Sequence, residues 1–411
     1  MSLYNFYLFV LIALAVLEAG TFFIVRYLSN SYQWLITSKD ELPEFDRKSL
    51  NKFLKHGFNP VLGWVRKPNT SGKEDGKFGK VTYHINSRGA RLNPGHEELP
   101  KLISCYGDSF AFSRQVNDDE TWEYYLSKLT TTNVLNFGVG NYGLDQALLR
   151  LKLAYHSNPT QIVILSVVPE TICRILNVWK HYNEYGNTFG FKPRYRLDNG
   201  NLTLVENIIT DGSMFFKLQE HLPFIQQNDY FYKNKFKKDI LRFPYLWSLF
   251  KTWRRNVPLI FRLMLKRFYD FVGVQKDYLQ HIHNVSVLQR NIKMCAQLYQ
   301  VESIRKLMVE IVKEFVKFSQ INNFTPVFVL LPQLNDITYI KENRCYYFSF
   351  VKEIKNMLTT IDLTDCLVSH GDLKLIYSND HYGGHFSKVG NEFVANQISK
   401  FIGEKKFLHA D

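Results

Sequence analysis

Cysteine is scarce in this chain. Its 411 residues hold five, Cys105, Cys173, Cys295, Cys345 and Cys366. The number is odd and the spacing scattered, which argues against a disulfide framework and against a cysteine-rich metal site. Cys105 falls in an apolar run and reads as a small core residue rather than a reactive thiol. Twelve histidines are present, but no His/Cys cluster has zinc spacing. A Walker-type phosphate loop is missing, and Gly138-Val139-Gly140 lacks the third glycine of a dinucleotide-binding turn. No metal and no organic cofactor is therefore expected. Lysine and arginine are absent before the first apolar run, and no small-residue cleavage site closes it, which counts against a cleaved signal peptide. Acidic residues are outnumbered, 38 to 51. Signs of disorder are also lacking, since 45% of the chain is hydrophobic and 15% aromatic, ample for a packed core.

What is present begins with residues 3–25, apolar almost throughout, with Glu18 as their one charge and Arg26 closing them. About 20 apolar residues suffice to cross a bilayer, so 1–28 reads as a single-pass anchor; the alternative is a buried N-terminal helix of a soluble protein. Glu18 would face a partner helix or lie near an interface. The flanking charges, Arg26 and Lys39, would by the positive-inside rule keep the body cytoplasmic. Long domains translocate regardless of charge, and an extracytoplasmic body is the expectation adopted. Residues 29–100 read as a linker with a helix near 44–56, then a strand-and-turn stretch containing a strand at 81–86. From 101 to 402 strands and helices alternate. Near-continuous apolar strands are expected at 102–106, 133–137, 161–168, 326–331 and 360–363. Helices are expected at 122–129, 144–155, 285–321, 347–358 and 387–402. This is an α/β pattern: a parallel five-stranded sheet covered by helices on both faces, with ligands at the carboxyl ends of the strands. Residues 403–411 form a tail. Residues 175–284 interrupt the rhythm as a helical, basic insertion. Between 230 and 270 stand eleven basic and two acidic residues, a net +9 of the chain's formal +13. Interleaved Phe236, Phe243, Trp247, Phe250, Trp253, Phe261 and Phe268 suit an anionic membrane surface. A polyanion such as an acidic glycan, or a solvated helical cap, would use the same composition; nucleic acid is not the expected partner.

Tyr106-Gly107-Asp108-Ser109-Phe110 sits where the first of these strands ends, ahead of the acidic helix start Asp118-Asp119-Glu120-Thr121-Trp122. Such a turn holds a serine hydroxyl clear of the sheet beside free backbone N–H groups, as a nucleophile and its oxyanion site require. Near the other end stands His385-Phe386-Ser387-Lys388-Val389-Gly390-Asn391. Gly107-Asp108-Ser109-Phe110, Asn136-Phe137-Gly138-Val139-Gly140-Asn141-Tyr142-Gly143 and His385-Phe386-Ser387, in that order, resemble the GDSL/SGNH hydrolase superfamily over roughly residues 58–402. The resemblance implies a flavodoxin-like three-layer sandwich, Ser109 as nucleophile and His385 as base.

The resemblance also implies an Asp three residues before the histidine, where this chain has Tyr382. Asp380, five residues before, is the candidate acid, carried to the imidazole by a bend at Gly383-Gly384. His381 as base, or a dyad without acid, are the alternatives. Three oxyanion donors are implied: the Ser109 N–H, a glycine N–H from Gly138 or Gly140, and an Asn after the third strand. That last position offers Val168-Pro169-Glu170-Thr171 and no Asn; Asn141 is the candidate substitute. Glu170 is adverse beside a developing negative charge unless paired, and Arg174 stands at helical spacing from it. The expectation is a serine esterase or acyl-transfer enzyme acting on an acylated small molecule, glycan or lipid-linked substrate. The competing expectation is a catalytically impaired protein that keeps the sheet and docks through the insertion.

Overall fold

The computed structural model describes residues 3–32, 36, 42–43, 45–274, 282–378 and 384–404. These fall into two compact units. One comprises residues 52–176, 192–207 and 288–411; the other comprises 1–51, 177–191 and 208–287.

The first unit is built on five parallel strands: β1 (Ile103–Gly107), β2 (Val134–Asn136), β3 (Ile162–Val167), β4 (Thr325–Leu330) and β5 (Thr359–Asp362). Their order is β5-β4-β3-β1-β2, and every pairing is parallel. Every residue of β1 and β3 is buried, because helices cover both faces, and that is why these strands read as unbroken apolar runs. Ile103, Cys105, Ile162, Ile164, Val327 and Val329 share one core with Trp122 and Leu126 of helix Trp122–Thr130 and Val394 and Ile398 of helix Lys388–Glu404. Helices Leu144–Ala154 and Glu302–Asn322 pack on the sheet and on each other.

Boundaries moved where local chemistry outweighed periodicity. The acidic stretch Asp118–Glu120 is a separate 3₁₀ turn, and the helix begins only after Thr121, whose hydroxyl accepts the Tyr124 N–H at 3.0 Å. The long helical stretch expected at 285–321 is two helices, Ile282–Gln300 and Glu302–Asn322, broken at extended Val301. The segment 175–284 is not wholly helical: Arg194–Asp198 and Asn201–Val205 pair as an antiparallel hairpin belonging to the sheet-bearing unit. Asn199 and Gly200, both at positive φ (50° and 85°), make its turn; an Asn-Gly pair flanked by alternating apolar residues (Tyr195 and Leu197 before it, Leu202 and Leu204 after it) is the signal that identifies it.

The second unit contains the 29-residue helix Leu3–Ser31, long and apolar enough to cross a membrane, with helices Leu218–Asn228, Tyr245–Lys251 and Trp253–Phe271. Val25, Leu28 and Ile36 share a buried cluster with Leu241, Leu259 and Leu263. Buried Asp229 ties the second unit's non-helical part, accepting the Val178, Trp179 and Phe231 N–H groups at 2.8, 3.0 and 2.8 Å.

Candidate active site

Glycine at 107 lets β1 run against β3 up to the serine turn. A Cβ there would lie 1.9 Å from the Ser166 carbonyl oxygen, so no other residue fits this register. Asp108, wholly buried, then shapes the turn. Its Oδ1 accepts the Phe110 N–H at 2.8 Å and its Oδ2 the Val168 N–H at 2.9 Å, joining the ends of β1 and β3. Burial pushes the Asp108 carboxyl above its ordinary range, against the pull of Arg174. One helical turn follows: the Phe112 N–H donates to the Asp108 carbonyl at 2.9 Å and the Arg114 N–H to the Ser109 carbonyl at 3.0 Å. Ser109 is left at the start of this turn, 7% exposed.

His385 arrives from the far end of the chain. Its carbonyl accepts the Ser378 N–H at 2.8 Å and hydroxyl at 3.0 Å, and its ring lies 4.8 Å from the Phe110 ring. Phe386 packs on both Phe110 and Tyr377, and helix Lys388–Glu404 begins just beyond. His385 is 5% exposed, and its Nε2 stands 2.9 Å from Ser109 Oγ, across 276 positions of sequence. The bend expected before it is present in part: Gly384 has φ +74°, in the left-handed region glycine favours. Asp380, His381 and Tyr382 lie outside the described residues.

The second-strand loop passes beside the serine. A Cβ on Gly140 would lie 4.0 Å from Ser109 Cβ. Among the described residues, no hydrogen bond uses the backbone N–H of Ser109 or of Gly140. The Gly138 N–H, by contrast, donates to Asn136 Oδ1 at 2.9 Å, which leaves Gly140 as the glycine with a donor to offer. Asn141 is exposed at φ +68° in the same loop. Trp64 fixes the loop, its indole N–H donating to the Gly140 carbonyl at 3.0 Å while its own carbonyl accepts the Tyr142 hydroxyl.

After β3 the expected adverse carboxylate is paired. Arg174 Nη2 lies 2.6 Å from Glu170 Oε2, and Nη1 lies 3.3 Å from both Asp108 Oδ2 and the Tyr142 carbonyl. One buried guanidinium therefore serves the turn aspartate, the second-strand loop and Glu170. Arg91 plays a similar part below the turn: buried, it donates to the Phe112, Ser113 and Val116 carbonyls at 2.8, 2.7 and 2.6 Å and pairs with Asp118 at 2.8 Å. Sequence reasoning assigned Arg174 only its pairing with Glu170 and did not find Arg91 or Trp64. Their sole signal is position, on segments flanking the motif blocks. A hydroxyl, an imidazole nitrogen in contact with it and two adjacent free N–H groups can perform acyl transfer.

No family model matches the chain. No curated protein matches it either. Among solved structures it is similar to a protein of the G-D-S-L lipolytic family from Desulfitobacterium hafniense, at 14% identity and TM-score 0.34 over 73% of this chain and 99% of that one. It is also similar to a psychrotrophic esterase from Pseudoalteromonas sp., at 11% identity and TM-score 0.31 over 74% and 98%. A third is an acetylxylan esterase from Geobacillus stearothermophilus, at 12% identity and TM-score 0.31 over 76% and 97%.

Proposed function

We propose that this chain is an SGNH-type serine esterase or acyl-transfer enzyme. The observation that carries the reading is the 2.9 Å contact between Ser109 Oγ and His385 Nε2, in a buried setting and at the carboxyl end of a parallel sheet. Ser109 Oγ attacks an ester carbonyl as His385 Nε2 takes its proton. The Ser109 and Gly140 N–H groups receive the oxyanion. The imidazolium returns the proton to the leaving alcohol, and water or a second alcohol then releases the acyl group. Asp380 orients the imidazole. An acylated glycan or lipid-linked molecule is the substrate class that suits an enzyme anchored through 3–25, with its catalytic unit outside the cytoplasm.

A second reading has its own observation. Glu170 stands where the resemblance implies an oxyanion-binding Asn, and losing one donor costs about two to three orders of magnitude in kcat. On that reading the chain is a binding protein with a residual site. p-Nitrophenyl acetate turnover by the full chain in detergent, beside Ser109→Ala, His385→Ala and Asp380→Asn, separates the two. Turnover abolished by the first two and reduced by the third is expected; a rate shared by all four proteins sinks the enzyme reading.

A further inference from the structure

Helix Trp253–Phe271 is apolar on two sides. Leu259 and Leu263 are buried in the second unit's cluster. Trp253, Val257, Phe261, Met264, Phe268 and Phe271 are exposed by 41–87%. Steps of four, four, three, four and three residues set these six on one stripe, about 27 Å long at 1.5 Å per residue. The neighbouring helix Tyr245–Lys251 adds Trp247 and Phe250, stacked on each other 5.6 Å apart and 55% and 67% exposed. A continuous outward stripe of this size marks an interaction surface rather than a water-facing one.

Glu18 indicates what covers it. This residue lies within the apolar helix Leu3–Ser31, where an unpartnered carboxylate would be costly. Its oxygens accept the Tyr245 N–H and, at 2.9 Å, the Leu246 N–H, the free donors at the start of helix Tyr245–Lys251. That helix therefore starts at the level of Glu18. The next charge along the apolar helix is Arg26, eight residues on, or about 12 Å of axial rise. A leaflet's hydrocarbon half is about 15 Å thick, so a span placed with Arg26 at its edge carries Tyr245 and its neighbours below the headgroups. The Tyr245 ring lies 5.8 Å from that of Phe22, and Arg267 caps the rings of Tyr27 and Tyr32 at 5.4 and 5.3 Å, on the charged side of Arg26. Cations flank the stripe: Lys251 sits over the Trp247 ring at 5.0 Å and Arg254 over the Trp253 ring at 5.6 Å.

We infer that residues 243–271 form a platform lying within one leaflet of an anionic bilayer, beside the span and docked to it through Glu18. The aromatic stripe enters the acyl chains, and the lysines and arginines meet the headgroups. This rests on the reading of 3–25 as a span and goes beyond it, because a plain single-pass anchor leaves 243–271 in water.

The test uses the full chain reconstituted in mixed phosphatidylcholine–phosphatidylglycerol vesicles carrying a trace of diazirine-tagged acyl-chain lipid, irradiated, digested and mapped by mass spectrometry. Lipid adducts are expected on peptides from both 3–25 and 243–271, with helix Arg47–His56 at background. A variant with Trp247, Phe250, Phe261 and Phe268 each changed to Ser should lose the adducts on 243–271 and keep those on 3–25. Adducts on 3–25 alone would overturn the platform and leave the span standing; adducts on neither would overturn the span itself. Background labelling of 243–271 together with a dimer by multi-angle light scattering that the four Ser changes abolish would overturn the platform and assign the stripe to a second copy. The wild-type map decides the question even if the variant fails to fold.

Discussion

Arg174→Met tests the electrostatic account of the serine turn. The side chain is 7% exposed and holds Glu170 Oε2 at 2.6 Å and Asp108 Oδ2 at 3.3 Å. Removing one partner of a buried ion pair typically costs about 3–5 kcal/mol, because a charge is left uncompensated. Asp108 keeps two backbone N–H donors, and burial already raises its pKa, so in the variant it can escape part of that cost by taking up a proton. A carboxyl whose folded pKa is raised binds more protons folded than unfolded, so stability falls as pH rises between the unfolded value and the raised one. The slope is at most about 1.4 kcal/mol per pH unit, levelling once Asp108 is ionised. The deficit of Arg174→Met should therefore be smaller at pH 5 than at pH 8, with about 3–5 kcal/mol as its upper bound. Asp108→Asn, which keeps the acceptor for Phe110, should remove most of the pH dependence when combined with Arg174→Met. Guanidinium unfolding of the four proteins of this double-mutant cycle, in detergent at both pH values, reads it directly. Arg174→Met as stable as wild type at pH 8, or a deficit unchanged by Asp108→Asn, would refute the reasoning. The released Glu170 carboxylate should also lower kcat for p-nitrophenyl acetate more than it changes KM.

Gly107→Ala places a Cβ against the Ser166 carbonyl at 1.9 Å, so it should lose about 3 kcal/mol or more, read by unfolding midpoint. Arg91→Met strips three carbonyls of their donor and leaves Asp118 buried with His84 as its remaining partner; a loss of about 3 kcal/mol is expected, with faster proteolysis in 108–118. Burial lifts the Asp336 carboxyl from 3.8 to about 7, so its contribution to stability falls as pH rises through that window. Asp336→Asn should then gain on wild type between pH 5 and pH 8, by at most about 3 kcal/mol, and an unchanged difference would contradict the account. Cys295, buried 3.4 Å from Cys173, has its thiol pushed well up by that hydrogen bond and by burial. Iodoacetamide at pH 8 should alkylate it only after denaturation, a difference mass spectrometry resolves.

The order of the five strands' appearance along the chain was legible because a strand covered on both faces needs no alternation and reads as an apolar run, as 162–167 does. Ser109 and His385 were singled out as candidates by the resemblance of their sequence blocks and by their places relative to those runs. Their 2.9 Å contact was not legible, since it joins positions 276 residues apart through the packing of Phe386 on Phe110. Which glycine offers its N–H depended on the Asn136 side chain claiming Gly138. Arg91 and Arg174 carry no periodic signal; each acquires meaning only when the fold gathers several carbonyls or carboxylates around one guanidinium. In the segment 230–270 composition announced a basic, aromatic stretch. Composition cannot say which aromatics face inward: that was decided when Leu259 and Leu263 found Val25 and Leu28, leaving the opposite stripe exposed, and when Glu18 supplied the acceptor that a helix N-terminus requires.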